Sequence, residues 1–180
     1  MSYYLKFPIQ FILLLFFQVL VLNNIPIEWW SQPSSFPVFT PYIYPLFLLL
    51  LPFETPIPLL ILIALIGGGI VDAFMNTPGM HAFALVLIAY IRTNVFVALL
   101  PKNLKEYYGT YPSVKTMGWP TFLAYSFFLI LIHHTVFIVI ELWSFYMAYL
   151  LLKILASVLS TMLLIIAYLL LFSPRNSYRN

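Results

Sequence analysis

The feature that most constrains this chain is a series of long apolar runs, separated by short polar or proline-rich stretches, along most of its 180 residues. A run of roughly 20 apolar residues forms an α-helix long enough to cross a hydrocarbon layer about 30 Å thick. Membrane β-barrels need short segments of alternating polarity instead, and these runs do not alternate. We therefore expect an all-α integral membrane protein.

The composition supports the same fold class. Hydrophobic residues make up 63% of the chain and charged residues 7%, which leaves too little polar surface to cover a soluble globule. The absence of cysteine excludes disulfides, thiol catalysis and thiolate metal sites. The first run follows Lys6 but lacks a small-residue cleavage site, so we interpret it as a retained span and not as a signal peptide.

Prolines and turn residues divide the runs into six predicted spans of one membrane domain, residues 1–180. The second span is short and stops at Pro52, and the turn MNTPG separates the third span from the fourth. In the proline-rich loop after the first span, Trp29 and Trp30 are expected at the membrane interface. The predicted spans cover residues 7–22, 42–52, 57–72, 79–99, 119–142 and 147–172.

The basic residues predict the orientation. If the N-terminus is cytoplasmic, the opposite loops contain no Lys or Arg, as the positive-inside rule requires. We therefore expect both termini in the cytoplasm. The segment 102–115 would meet anionic lipid or a cytoplasmic protein, or would only set the topology. The residues on the predicted cytoplasmic side are Lys6, Lys102, Lys105, Lys115, Arg175 and Arg179.

Ionisable residues from several spans are expected to meet in the outer half of the membrane. Lys153 lies roughly 9 Å below the outer surface by the helical rise. A buried charge in a bilayer is costly and normally has a partner, so Lys153 is predicted to pair with Asp72 or Glu141. The full predicted cluster is Asp72, His81, His133, His134, Glu141 and Lys153.

Two functions are open for this cluster: a polar clamp that fixes the helices, or a proton relay or substrate site. The clamp is favoured because no path of ionisable groups continues to the inner side. There, Arg92 and Glu54 are predicted to form a second pair, with Arg92 reaching towards the inner surface.

The glycines of GGGIVDAFMNTPGMHA, residues 67–82, are interpreted as helix-packing residues. Ala64, Gly68 and Asp72 are spaced by four and form a small-residue strip that lets another helix approach closely. Gly67 and Gly79 are assigned the same packing role. A phosphate-binding loop is excluded, because the glycines lie within a span and no GxxxxGK[ST] pattern is present.

Motifs of catalysis are missing from the sequence. There is no HExxH, no GxSxG and no pair of carboxylate clusters for a metal and a pyrophosphate. His133 and His134 are adjacent, so their side chains diverge by about 100° on a helix, which is poor geometry for a shared metal. We expect no enzyme activity, no cofactor, no metal and no binding to nucleic acid.

The stretch GGGIVDAFMNTPGMHAFALVLIAYIR resembles the family of rod-shape-determining proteins MreD, particularly the version found in Bacteroidetes-like bacteria. That family has a glycine-containing helix ending in an aspartate, a short turn, and a glycine that opens the next helix. The matching residues here are Gly67 or Gly68, Asp72 and Gly79. Two further stretches look similar to the same family, LLLLPFETP (48–56) and LIHHTVFIVIELWSF (131–145).

The resemblance implies a function. MreD-like proteins belong to the bacterial inner-membrane machinery that elongates the cell wall by peptidoglycan synthesis, and they are not known as enzymes. They associate with MreC and, through it, with RodA, its partner transpeptidase and the MreB filament. The expected function is a membrane scaffold that binds MreC and helps to maintain rod shape, with membrane lipid around it.

The MreD fold is also similar to the six-helix substrate-binding component of energy-coupling-factor transporters, and this similarity supplies an alternative function. The substrate-binding components of those transporters resemble one another in an alanine-rich motif on the first span. This motif docks the energising module. The first span here, FPIQFILLLFFQVLVL, contains neither Ala nor Gly. Because this motif is missing, we rank a small-molecule uptake component second, behind the scaffold.

Overall fold

The computed structural model describes residues 3–24, 40–100, 102–142 and 147–172, with side chains from Phe7 onward. Every regular element in these ranges is helical. The predicted positions of Trp29, Trp30, Arg175 and Arg179, and of the Lys6 side chain, lie outside the described residues.

Five helices in the described ranges are long and apolar enough to cross a membrane, so the chain is an all-α, multi-pass membrane protein. The first continues from its α-helical part through a π-helical turn, Phe17–Val21, and a 3-10 turn, Leu22–Asn24. In chain order the helices are α1 (Tyr3–Phe16), α2 (Leu46–Leu49), α3 (Ile57–Met75), α4 (Met80–Leu99), α5 (Val114–Met117), α6 (Trp119–Leu142) and α7 (Met147–Phe172). The five long ones are α1 with its extension, α3, α4, α6 and α7.

The predicted second span, residues 42–52, is wrong as a membrane-length helix, because only the single turn α2 is helical there. Pro45 stands at the N-cap of α2 and Pro52 follows it. Proline lacks a backbone N–H and disfavours helix at the residue before it, so this run cannot form one continuous helix. Residues 42–51 are nevertheless all buried. We call residues 40–53 the core segment.

The core segment runs through the middle of the helix bundle. Near its start, the Tyr42 ring packs edge-on against His81, with centroids 4.9 Å apart. Near its end, the carbonyl oxygen of Leu51 accepts a hydrogen bond from Arg92, which lies three turns further along α4. By the helical rise, the segment advances about 16 Å across the bundle. Non-helical backbone is tolerated at membrane depth only where protein encloses it, and the burial of this segment meets that condition.

Helices α3 and α4 form a tightly packed hairpin. A Cβ atom added to Gly68 would lie 2.4 Å from the Cα atom of Ala82, so the backbones of the two helices meet at this glycine. A Cβ atom on Gly67 would lie 2.9 Å from the Phe47 ring of α2. Gly67 and Gly68 are therefore packing residues, because any larger side chain would push neighbouring elements apart.

Gly79 does not have the packing role predicted for it. A Cβ atom there would meet nothing within 4 Å, and the residue has a φ of 80°. Helix α3 ends at Met75, and Asn76, its C-cap, also adopts the left-handed conformation, with a φ of 55°. Left-handed backbone favours glycine and asparagine, so these two residues close α3 and open α4 around a short turn.

Candidate functional site

The first half of the core segment is held by polar side chains of the first span's π-helical turn and of α7. The backbone N–H of Thr40 donates to Ser157 Oγ at 2.9 Å, and that of Tyr42 donates to Thr161 Oγ1 at 3.0 Å. The N–H of Ile43 donates to Gln18 Oε1 at 2.9 Å. These acceptors replace the hydrogen bonds that a regular helix would supply, so the irregular backbone is satisfied inside the protein.

Gln18 lies in the π-helical turn of the first span and is 1% exposed. Besides accepting from Ile43, its Nε2 donates to the carbonyl oxygen of Pro41 at 3.2 Å and to Asn23 Oδ1 at 2.9 Å. A buried amide without partners costs free energy, whereas here both ends of the amide are used. Gln18 therefore ties the first span to the start of the core segment.

Arg92 holds the other end of the core segment. Its guanidinium donates to the carbonyl oxygens of Leu51 and Pro52, with Nη1 3.4 Å from the latter. Arg92 Nε donates to the hydroxyl of Tyr125 at 3.0 Å, and that hydroxyl donates to the carbonyl oxygen of Leu49 at 3.0 Å. The planar fork of arginine suits such a task because it presents several donors in fixed directions.

The predicted pair of Glu54 and Arg92 is wrong. Arg92 is 1% exposed, and its donors are directed at the core segment and at Tyr125, not at Glu54. Glu54 is exposed and accepts the backbone N–H of Gly109 at 3.3 Å. Sequence depth placed the two residues at one level, but the guanidinium instead donates to the carbonyl oxygens of Leu51 and Pro52.

Two of the three histidines meet at one hydroxyl. Tyr44 Oη lies 2.8 Å from His81 Nδ1 and 2.8 Å from His133 Nε2. Because the hydroxyl has a single proton, it donates to one imidazole and accepts an N–H from the other. The remaining nitrogens, His81 Nε2 and His133 Nδ1, are buried without a hydrogen-bond partner among the described residues.

His134 belongs to a separate chain of hydrogen bonds. Its Nδ1 lies 3.0 Å from the carbonyl oxygen of Ile130, which can only accept, so Nδ1 carries the proton. His134 Nε2 is then an acceptor for the hydroxyl of Thr161 at 3.1 Å. The same hydroxyl oxygen accepts the N–H of Tyr42, so His134 orients the threonine that holds the core segment.

Asp72 caps the helix that follows it in the chain. Its Oδ1 accepts the backbone N–H of His81 at 3.0 Å and the Thr77 hydroxyl at 2.9 Å, and its Oδ2 accepts the backbone N–H of Ala82 at 2.9 Å. The first N–H groups of a helix lack partners within it, and a carboxylate is the strongest acceptor for them.

Lys153 pairs with Glu141 and not with Asp72. Its Nζ lies 2.7 Å from Glu141 Oε2, and the Lys153 side chain is fully buried while that of Glu141 is 22% exposed. The pair joins α6 to α7. A buried ammonium in a bilayer requires such a countercharge.

The predicted outer-half cluster is thus divided into three parts: the imidazoles around Tyr44 and Thr161, the Asp72 cap, and the Lys153 pair. Among the described residues, Asp72 contacts the histidine group through the backbone N–H of His81, which it accepts at 3.0 Å. In the part of the chain that the structure describes, no three His, Asp or Glu side chains are placed to hold a metal ion.

Several residues of the site were missed from the sequence, and one group of them had a readable signal. Ser157 and Thr161, which were missed, follow the predicted Lys153 at spacings of four on a leucine-rich helix, and this spacing places all three on one face. All three are buried. The other missed residues, which carry no such spacing, are Gln18, Tyr42, Tyr44 and Tyr125.

Comparison of the chain with protein-family models, with curated proteins and with solved structures gave no match.

Proposed function

We propose that this chain is a non-catalytic membrane scaffold of the machinery that elongates the bacterial cell wall, of the MreD type. In this proposal it lies in the inner membrane with six crossings, the core segment being one of them. Both termini and the segment 102–115 lie in the cytoplasm. The chain binds MreC, and through MreC it joins RodA, its partner transpeptidase and the MreB filament.

The scaffold function is supported by what the buried polar side chains bind, which is the backbone of neighbouring elements. Arg92 and Thr161 donate to or accept from the backbone of the core segment, and Asp72 accepts from the backbone of α4. Side chains used in this way fix the positions of helices relative to one another. Such a core supports a rigid body that presents fixed faces to partners.

The residues that carry the MreD resemblance also fix the positions of neighbouring elements. Gly68 sets the distance between α3 and α4, Asp72 caps α4, and Gly79 supplies the left-handed backbone of the turn. Each is a geometric requirement of the hairpin. The motif therefore supports a family in which this hairpin is a structural element.

The face of α7 opposite its polar residues suits a single-span partner. Five leucines there are more than half exposed, and their spacing places them along one side of the helix. In lipid, helices associate through van der Waals packing, for which such a stripe offers area. We assign the membrane helix of MreC to this leucine stripe: Leu152, Leu155, Leu159, Leu163 and Leu170.

Cysteine crosslinking tests the docking face directly, because the chain has no cysteine of its own. Leu159→Cys should form a disulfide with a cysteine scanned along the membrane helix of MreC in isolated membranes. Val97→Cys, on the exposed side of α4 at 67% exposure, is the matched control. Equal yields from both positions would reject the leucine stripe as the docking face.

The cellular function is tested by depletion in the bacterium that encodes the chain. Rods should become spheres, and complementation by the wild type should restore them, whereas a variant with alanine at Leu155, Leu159 and Leu163 should restore shape poorly. A depleted strain that keeps its width and growth mode would overturn the scaffold proposal. In a crosslinked pull-down, MreC and RodA are expected. Recovery of an ATPase module in their place would indicate the transporter alternative.

A further inference from the structure

A long groove lies between the first and last membrane helices, with a volume of about 1320 Å³. One wall is formed by α1 and its π-helical turn and the other by the last turns of α7. Ile43 and Leu50 of the core segment line its floor, and the loop and helix around Tyr111 to Lys115 line one end. The groove is therefore bounded by described residues on both sides and below.

The two ends of this groove differ in polarity. Away from the loop, the lining is apolar, with Leu13, Phe17 and Leu20 on the α1 side. At the loop end it is polar, and Gln10 Nε2 donates there to the hydroxyl of Tyr168. Lys115, which is exposed, is the single charged side chain among the described lining residues. The remaining polar lining residues at this end are Tyr111 and Ser113.

The polar end lies at a membrane surface. Helix α1 begins there, α7 ends there and α6 begins there, with Trp119 in the lining at 42% exposure. Tryptophan and tyrosine are enriched at the level of lipid headgroups, where one part of the ring is apolar and the other wet. The cationic end of the groove is thus at headgroup level and the apolar part at acyl-chain level.

The length of the groove distinguishes between a lipid and a transmembrane helix as occupant. Its α1 wall extends from Ile9 to Val21, which is about 18 Å by the helical rise. A spanning helix needs about 30 Å of apolar contact, whereas one leaflet supplies about half of that. The groove has the depth of one leaflet.

We propose that this groove binds a phospholipid with an anionic headgroup, its phosphate beside Lys115 and its acyl chains along the α1 and α7 walls. A basic group between transmembrane helices at a headgroup surface attracts anionic lipid, whereas a zwitterionic headgroup gains less from it. This lipid site is separate from the leucine stripe, because the groove is lined on α7 by Leu164, Ala167 and Tyr168, on a neighbouring side of the helix.

Native mass spectrometry of the full chain, released from mild detergent with phosphatidylglycerol or phosphatidylcholine, tests the proposal. Wild type should retain phosphatidylglycerol preferentially. Lys115→Gln should lower that retention about fivefold and leave phosphatidylcholine unchanged. Lys105→Gln is the matched control, because that lysine is exposed on the same loop and does not line the groove.

A second variant tests the apolar part. Ala167→Phe fills the groove from its α7 wall and should lower retention of both lipids, whereas Val97→Phe, outside the groove, should not. Equal retention of the two lipids by wild type, or equal effects of Lys115→Gln and Lys105→Gln, would overturn the anionic site. A photocrosslinker at Leu13 that captures protein and no lipid would overturn the lipid as occupant.

Discussion

The carboxylate of Asp72, near the end of α3, accepts the backbone N–H of Ala82 in the first turn of α4 at 2.9 Å. A side chain in the last turns of one membrane helix thus caps the start of the next. Asp72→Ala should lower the free energy of unfolding by about 1 to 2 kcal/mol, the usual cost of a lost helix cap. Thermal unfolding in detergent measures this change.

Thr77→Val is the matched control for the cap. It removes one hydrogen bond to the same carboxylate, at 2.9 Å, and leaves both backbone contacts in place. Its effect should be smaller than that of Asp72→Ala. If the two variants were equally destabilised, the capping contacts would not be the main task of Asp72.

Two neighbouring glycines should respond in opposite ways to the same substitution. Gly68→Ala places a methyl group against the backbone of Ala82 and should destabilise the protein by roughly 1 to 3 kcal/mol, as overpacking does. Gly69→Ala meets no atom within 4 Å and should be neutral or stabilising by up to about 1 kcal/mol, since alanine is the better helix former. Unfolding midpoints compare them, and equal midpoints would contradict the close approach of α3 and α4.

Arg92→Met should be among the most destabilising changes in the core. It removes the donor to the buried carbonyl oxygen of Leu51, at a cost of roughly 1 to 3 kcal/mol, whereas the carbonyl oxygen of Pro52 keeps its two donors from Thr55. Expression level and unfolding midpoint are the measurements. Glu54→Gln is the control and should match wild type, because Glu54 is exposed. A large loss of stability in Glu54→Gln would contradict this assignment and would support the ion pair of Glu54 with Arg92.

A double-mutant cycle tests the pair of Lys153 and Glu141. Lys153→Met removes the ammonium from its contact 2.7 Å from Glu141 and should destabilise the protein by roughly 3 kcal/mol, as breaking a buried pair does. Adding Glu141→Gln removes the charge left behind. The double variant should therefore lose less free energy of unfolding than the sum of the losses in the two single variants. Strict additivity of the two changes would show that the pair does not couple α6 and α7.

The limits of sequence-based prediction are visible in the core segment. The five long helices follow from apolar length alone, and their bounds near Ile57, Met80 and Trp119 coincide with proline and glycine signals. The run 42–52 has the same composition but contains Pro45, which interrupts it. Hydropathy reports burial and does not separate burial against lipid from burial against protein.

The polar pairs illustrate the same limit at the level of side chains. Depth along a helix placed Lys153 near Glu141 correctly, because both lie on long regular helices. The same depth argument failed for Arg92, because its acceptors are the carbonyl oxygens of Leu51 and Pro52. These lie in the irregular core segment, whose path cannot be predicted from a helical period. Tyr44, which joins two histidines, lies on that segment too and was missed for the same reason.

The core segment has a consequence for the order in which the chain is made. Its backbone partners include Arg92, Tyr125, Ser157 and Thr161, all of which leave the ribosome after it. Until the last helix has been inserted, the carbonyl and amide groups around the prolines lack these partners, and lipid offers none. The segment therefore reaches its final position only after synthesis is nearly complete, and a chain truncated before Ser157 cannot hold it there.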